Sequence, residues 1–132
     1  MDKKLLFIVN PRAGRTKSFA PLFDAVACFS KAGYLVKVFL TEGRGDATRA
    51  AAELGGAYDL VVCAGGDGTF NEVVSGLVHS GAKVPIGYIP AGSTNDFANS
   101  LHLSKNIVQA ARDIVLGNPV AFDIGSFNGR GF

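Results

Sequence analysis

Apolar positions along this chain fall into two patterns: short uninterrupted runs, and longer stretches in which they return every three or four residues. The first run, over 5–10, reads as a buried strand ended by Pro11 and Gly14. Phe19, Leu22, Phe23, Val26 and Phe29 then recur at helical spacing, with Pro21 tolerable in a first turn and Gly33 as the stop. A second strand is predicted over 34–41, rich in Val, Phe and Tyr. Asp46 is placed to cap a helix over 47–54, which Gly55-Gly56 terminates. The third strand, over 59–64, ends at Gly65-Gly66 and leads into a helix with its stripe at Phe70, Val73, Val74, Leu77 and Val78. A fourth strand spans 85–89, and Pro90-Ala91-Gly92 turns the chain into a short helix over 95–101. Ser104 caps a further helix with Ile107, Val108, Ala111, Ile114 and Val115 inward, stopped by Gly117-Asn118-Pro119, and a last strand covers 120–125.

Strands without polar alternation, separated by helices, are buried on both faces. The expectation is therefore a three-layer α/β fold with a mostly parallel, Rossmann-like sheet between two helical layers. Right-handed crossovers bring the carboxyl ends of the strands to one rim, where such folds bind ligands. The chain shows neither internal repeats nor low-complexity segments.

Composition narrows the picture. With 132 residues, 48% apolar and 18% charged, the chain can build a core of its own. Thirteen Lys and Arg against eleven Asp and Glu leave +2, which argues against a nucleic-acid binder held by bulk charge. Cys28 and Cys63 form no framework, and Cys63 reads as a buried free thiol. Lys3 and Lys4 precede an apolar run that Asn10-Pro11 stops short of a signal-peptide core. Nothing approaches a membrane span, and the protein reads as soluble, reduced and cytoplasmic.

The 17 glycines concentrate in turns that follow strands. Three of these, Asn10-Pro11-Arg12-Ala13-Gly14, Gly65-Gly66-Asp67-Gly68-Thr69 and Pro90-Ala91-Gly92-Ser93-Thr94-Asn95-Asp96, are expected at the same rim. A glycine turn between a strand and a helix lets backbone N–H groups approach an anion. Arg12, Arg15 and Lys17 add positive charge there, and Asp67 and Asp96 are the one or two carboxylates by which Mg²⁺ is usually held beside phosphate oxygens. Together these features favour a magnesium–nucleotide site. Structural readings stand beside this one: Thr69-x-x-Glu72 fits a capping box, Ser93 or Thr94 fits a helix cap, Asp67 fits a turn, and the basic residues fit a solvated face. The G-x-x-x-x-G-K-[ST] loop, the complete dinucleotide fingerprint and the protein-kinase signatures are absent.

At Gly65-Gly66-Asp67-Gly68-Thr69-Phe70-Asn71-Glu72-Val73 the sequence resembles the diacylglycerol-kinase-type lipid kinases. Asn10-Pro11-x-x-Gly14, Thr41 followed by Gly45-Asp46-Ala47, and Pro90-x-Gly92-x-x-Asn95-Asp96-Phe97-Ala98 support the match, which runs to Asp123-Ile124-Gly125. The resemblance implies an NAD kinase/diacylglycerol kinase-like N-terminal domain, over 1–119, within an enzyme that moves the γ-phosphoryl of ATP to a lipid hydroxyl. Residues 120–132 then begin a β-rich second domain, and the chain reads as ending inside a larger protein. By motif, Asn10, Pro11, Arg12, Ala13, Gly14, Thr41, Ser93, Asn95 and the stretch Gly65, Gly66, Asp67, Gly68, Thr69, Phe70, Asn71 and Glu72 contact ATP. The resemblance further implies that Asp67 and Asp96 hold magnesium and that Asp123 orients a catalytic base expected in the second lobe. Ala13 stands where the family often has serine, and Ser93 where it often has threonine.

A diacylglycerol-like acceptor ranks ahead of a sphingoid base; an NAD kinase relative and a non-catalytic nucleotide-binding module remain alternatives. The resemblance implies a lipid substrate met at a membrane surface, although no basic amphipathic helix is evident. An uncovered last strand leaves pairing with a second copy open. Alone, the chain is expected to bind ATP weakly and to phosphorylate lipid negligibly.

Overall fold

The computed structural model describes residues 3–12, 20–90, 107–116 and 121–122. Five strands and four α-helices are present among them: β1 (Lys3–Val9), α1 (Ala20–Lys31), β2 (Tyr34–Leu40), α2 (Asp46–Leu54), β3 (Leu60–Gly65), α3 (Asp67–Ser80), β4 (Ile86–Pro90), α4 (Ile107–Val115) and β5 (Ala121–Phe122). A single 3₁₀ turn, Gly55–Ala57, links α2 to β3.

The strands form one sheet in the order β2-β1-β3-β4-β5. The first four are parallel, with Leu5 opposite Val36 and Leu60, and Cys63 opposite Tyr88. β5 joins β4 antiparallel through Ile86–Phe122 and Gly87–Ala121, so the sheet is mostly parallel, as the apolar runs require. Every residue of β3 and β4 is buried, and in β1 burial begins at Leu5, after the exposed Lys3 and Lys4. Each fully buried large apolar side chain contributes about 1.5–3 kcal/mol, which makes these strands the centre of the core.

Helices cover both faces in pairs: α1 packs on α4, and α2 on α3. The pairing follows from topology. The chain moves outward from β1 to β2 and then back across to β3 and β4, so right-handed crossovers place α1 on one face and α2 and α3 on the other. Phe7 and Phe29 lock α1 to β1 edge-to-face, ring centroids 5.5 Å apart. On the opposite face Gly76 lets α3 approach the backbone of α2, since a Cβ there would lie 2.2 Å from the Thr48 carbonyl oxygen.

Several expectations need correction. Phe23 lies outside the core at 76% exposure, because the buried face of α1 runs through Leu22, Ala25 and Phe29 instead. Asp46 is the first residue of α2 and Gly45 its cap, at φ 90°, a backbone conformation that suits glycine. The Thr69–Glu72 capping box does not form: Gly66 caps α3, which places Thr69 within its first turn. The expected helix over 95–101, the Ser104 cap and Phe19 lie outside the described residues, as does the last strand beyond Phe122.

Candidate nucleotide site

The sheet order creates a crevice where the chain reverses direction. From β1 the chain crosses to β2, and from β3 to β4, on opposite sides; the segments leaving β1 and β3 therefore part at the carboxyl ends of adjacent strands. Such a switch point is where open α/β sheets take ligands.

Asn10 anchors that crevice. Its backbone N–H continues the β1–β3 ladder to the Ala64 carbonyl, 2.9 Å. Its side-chain amide donates to Thr69 Oγ1 at 3.3 Å, and its Oδ1 accepts from the Arg12 N–H at 3.0 Å. One asparagine thus ties the turn after β1 to the first turn of α3. Gly65, the last residue of β3, is required by the same arrangement: a Cβ there would lie 2.8 Å from Thr69 Oγ1.

The second wall comes from the β2–α2 turn. Thr41 is buried, and its N–H donates to the Val9 carbonyl at 2.9 Å. The Asp46 carboxylate accepts from the N–H groups of Glu42, 2.7 Å, and Gly43, 3.0 Å, and from Arg49 Nη2, 2.6 Å. Glu72 reaches across from α3 to accept from the Gly45 N–H at 3.0 Å. Residues that appeared to be helix caps therefore shape this turn.

A cavity of about 210 Å³ lies between the walls. Of the expected nucleotide contacts, Asn10, Arg12, Thr41, Thr69 and Glu72 line it together. Glu42, Gly43, Arg44 and Ala47 line it as well. The sequence held a signal for them: Gly43-Arg44-Gly45 is another glycine turn after a parallel strand, and the carboxyl ends of parallel strands share one rim.

The remaining assigned residues fall elsewhere. Pro11 follows Asn10 on its turn, and Gly66 and Gly68 flank Asp67 at the start of α3. The Phe70 ring is buried in the core, stacked on Tyr88 at 4.6 Å and 23°, while Asn71 is exposed. Asp67 does not line the cavity; it stands on the β4 side, where its Oδ1 accepts from the Tyr88 hydroxyl at 3.0 Å. Burial, reinforced by Cys63 and the Asp67 carboxylate, pushes the Tyr88 hydroxyl far above the usual tyrosine range and keeps it a donor. Ala13, Gly14, Arg15, Lys17, Ser93, Thr94, Asn95, Asp96 and Asp123 lie outside the described residues.

The donor set fits magnesium carried by a nucleotide. Asp67, at the start of α3, offers hard carboxylate oxygens of the kind Mg²⁺ takes. One or two carboxylates completed by phosphate oxygens is the usual arrangement for Mg²⁺.

The turn is expected to respond to pH through Asp46. The backbone N–H groups of Glu42 and Gly43, with Arg49, hold the Asp46 carboxyl below the usual carboxylate range. A lowered folded-state pKa gives stability that is complete above the unfolded value, about pH 4, and is lost as pH falls through the folded value. The stability difference between wild type and Asp46→Ala, measured by urea unfolding, should be constant above about pH 5 and shrink below about pH 4. A difference independent of pH from neutral to acid would rule out this role.

Comparison with known proteins accords with this geometry. Residues 4–127 match the diacylglycerol kinase catalytic domain family. A diacylglycerol kinase of Staphylococcus epidermidis is 41% identical over the whole chain, and one of Staphylococcus aureus is 39% identical. The chain spans 42% of the length of each of these relatives. A crystal structure of a diacylglycerol kinase from Bacillus anthracis superposes with a TM-score of 0.79 at 33% identity, covering 88% of this chain and 40% of that one. The glycine turns, the switch-point crevice and the match across nearly all its residues together show that this chain belongs to the diacylglycerol kinase catalytic domain family.

Proposed function

We propose that this chain supplies the ATP and magnesium site of a kinase that transfers the γ-phosphoryl of ATP to a lipid hydroxyl, with diacylglycerol as acceptor. The observation that carries the reading is the Asn10–Thr69 link across the switch point, which joins two of the family's glycine turns around one cavity. Residues 1–119 are the nucleotide-binding unit in this reading, and 120–132 begin the acceptor-binding lobe.

Asn10, Arg12, Thr41, Thr69 and Glu72 hold the nucleotide, with Pro11, Ala13, Gly14, Ser93 and Asn95 completing its contacts. The first turn of α3 presents backbone N–H groups from Gly66 to Thr69, where the helix dipole favours phosphate. Asp67 and Asp96 hold magnesium, which when bound neutralises charge developing on the transferred phosphoryl. Asp123 orients the base that takes the acceptor's proton, a step that phosphoryl transfer to a hydroxyl requires. None of the described helices is long and apolar enough to cross a membrane.

Calorimetric titration with ATP, with and without Mg²⁺, tests the site. The expected result is magnesium-enhanced binding that falls at least about tenfold in Asp67→Ala, the loss of one charge-assisted contact. Equal affinities in the folded variant and the wild type would overturn the assignment. Transfer of labelled γ-phosphate by the full-length protein to diacylglycerol, a sphingoid base or NAD identifies the acceptor. Label in NAD alone would refute the lipid reading.

A further inference from the structure

We propose that Tyr88 is a positioning residue for magnesium-dependent nucleotide binding, acting through the Asp67 carboxylate. The inference rests on the assignment of magnesium to Asp67 and deepens it.

Tyr88 sits mid-strand in β4, within the fully buried run Ile-Gly-Tyr-Ile-Pro, and has no exposed surface. A phenylalanine would fill the same volume and stack on Phe70 in the same way. What tyrosine adds is a hydroxyl, and a buried hydroxyl has to be hydrogen-bonded. Here it donates to Asp67 Oδ1 at 3.0 Å, across the gap between β4 and the first residue of α3. The ring is clamped by the Phe70 stack, with centroids 4.6 Å apart. The hydroxyl therefore presents its proton from a fixed point, and the carboxylate is held by a charge-assisted bond.

Groups that orient a metal's carboxylate ligand typically change metal affinity about 10–100-fold when removed. Tyr88→Phe keeps the ring, the stack and the volume, and removes the hydroxyl that makes the bond. The concentration of Mg²⁺ giving half-maximal enhancement of ATP binding should rise about tenfold in calorimetric titrations. ATP binding without Mg²⁺ should stay unchanged. In an Asp67→Ala background, Tyr88→Phe should have no further effect on either quantity.

A purely structural bond would lower the melting temperature and leave the magnesium dependence alone; that result in a folded Tyr88→Phe would overturn the proposal. So would an effect of Tyr88→Phe that persists without the Asp67 carboxylate. Absence of any Mg²⁺ dependence in the wild type would overturn both the magnesium assignment and this inference. A dependence lost in Asp67→Ala but untouched by Tyr88→Phe would remove this inference alone. A second readout leaves Tyr88 in place: the chain has three tyrosines and no tryptophan, so Tyr34→Phe/Tyr58→Phe makes Tyr88 the sole tyrosine emitter. Its fluorescence should change when Mg²⁺ is added to the ATP complex. Constant emission alongside calorimetric binding of Mg²⁺ would likewise count against the proposal.

Discussion

Gly76→Ala should destabilise the chain by about 2 kcal/mol, and Gly76→Val by about 3 kcal/mol or more, as is typical of overpacking against atoms that cannot move aside. The direction runs against helix propensity, which favours alanine over glycine by about 1 kcal/mol in a helix interior. Packing prevails because the new Cβ would meet the Thr48 carbonyl oxygen at 2.2 Å, the Ala51 Cβ at 2.9 Å and the Ala52 nitrogen at 3.1 Å. Two of these are backbone atoms of α2, so relief requires the two helices to separate. Thermal unfolding should show a fall of roughly 10 °C for valine. Because α2 follows the turn that carries Arg44, and α3 carries Thr69 and Glu72, ATP affinity in the folded fraction should fall too. A Gly76→Ala variant more stable than wild type would disprove the close approach.

Phe7→Ala should cost about 3–5 kcal/mol, whereas Phe23→Ser should stay within about 0.5 kcal/mol of wild type. Both residues are phenylalanines in apolar segments, and composition alone does not separate them. Phe7 has no exposed surface and meets the Phe29 ring edge-on at 86°. Phe23 is 76% exposed, above a shallow groove formed with Val26, Val38 and Leu40. Urea unfolding with unchanged slope would measure both, since a shift in midpoint alone reports stability. Comparable losses from the two substitutions would mean that α1 is rotated from the orientation described.

Phe23 also marks where one-dimensional reading ends. Helical spacing places Leu22 and Phe23 within one wide apolar stripe, and either could face inward. Burial decides the matter: α1, packed on α4 and β2, turns Leu22, Ala25 and Phe29 inward and leaves Phe23 outward. A second case is Glu72. Three residues after Thr69 it has the spacing of a capping box, yet its carboxylate goes to the Gly45 N–H in the turn before α2, and no local pattern encodes a bond across 27 residues. Tyr88 is a third. A tyrosine in an apolar strand announces that its hydroxyl has a partner, but only the parallel register of β3 and β4 brings it to Asp67.

Local pattern was enough for the described strands and helices, the mostly parallel sheet and the glycine turns after β1 and β3. These follow from local rules: apolar runs buried on both faces, the 3.6-residue period, and glycine where the chain turns. Tertiary structure decided which turns share a cavity, which apolar side chains face the core, and which carboxylate serves which backbone. Those outcomes depend on strand order and helix rotation, set by packing between segments far apart in the chain, and packing energy is a property of the assembled interior.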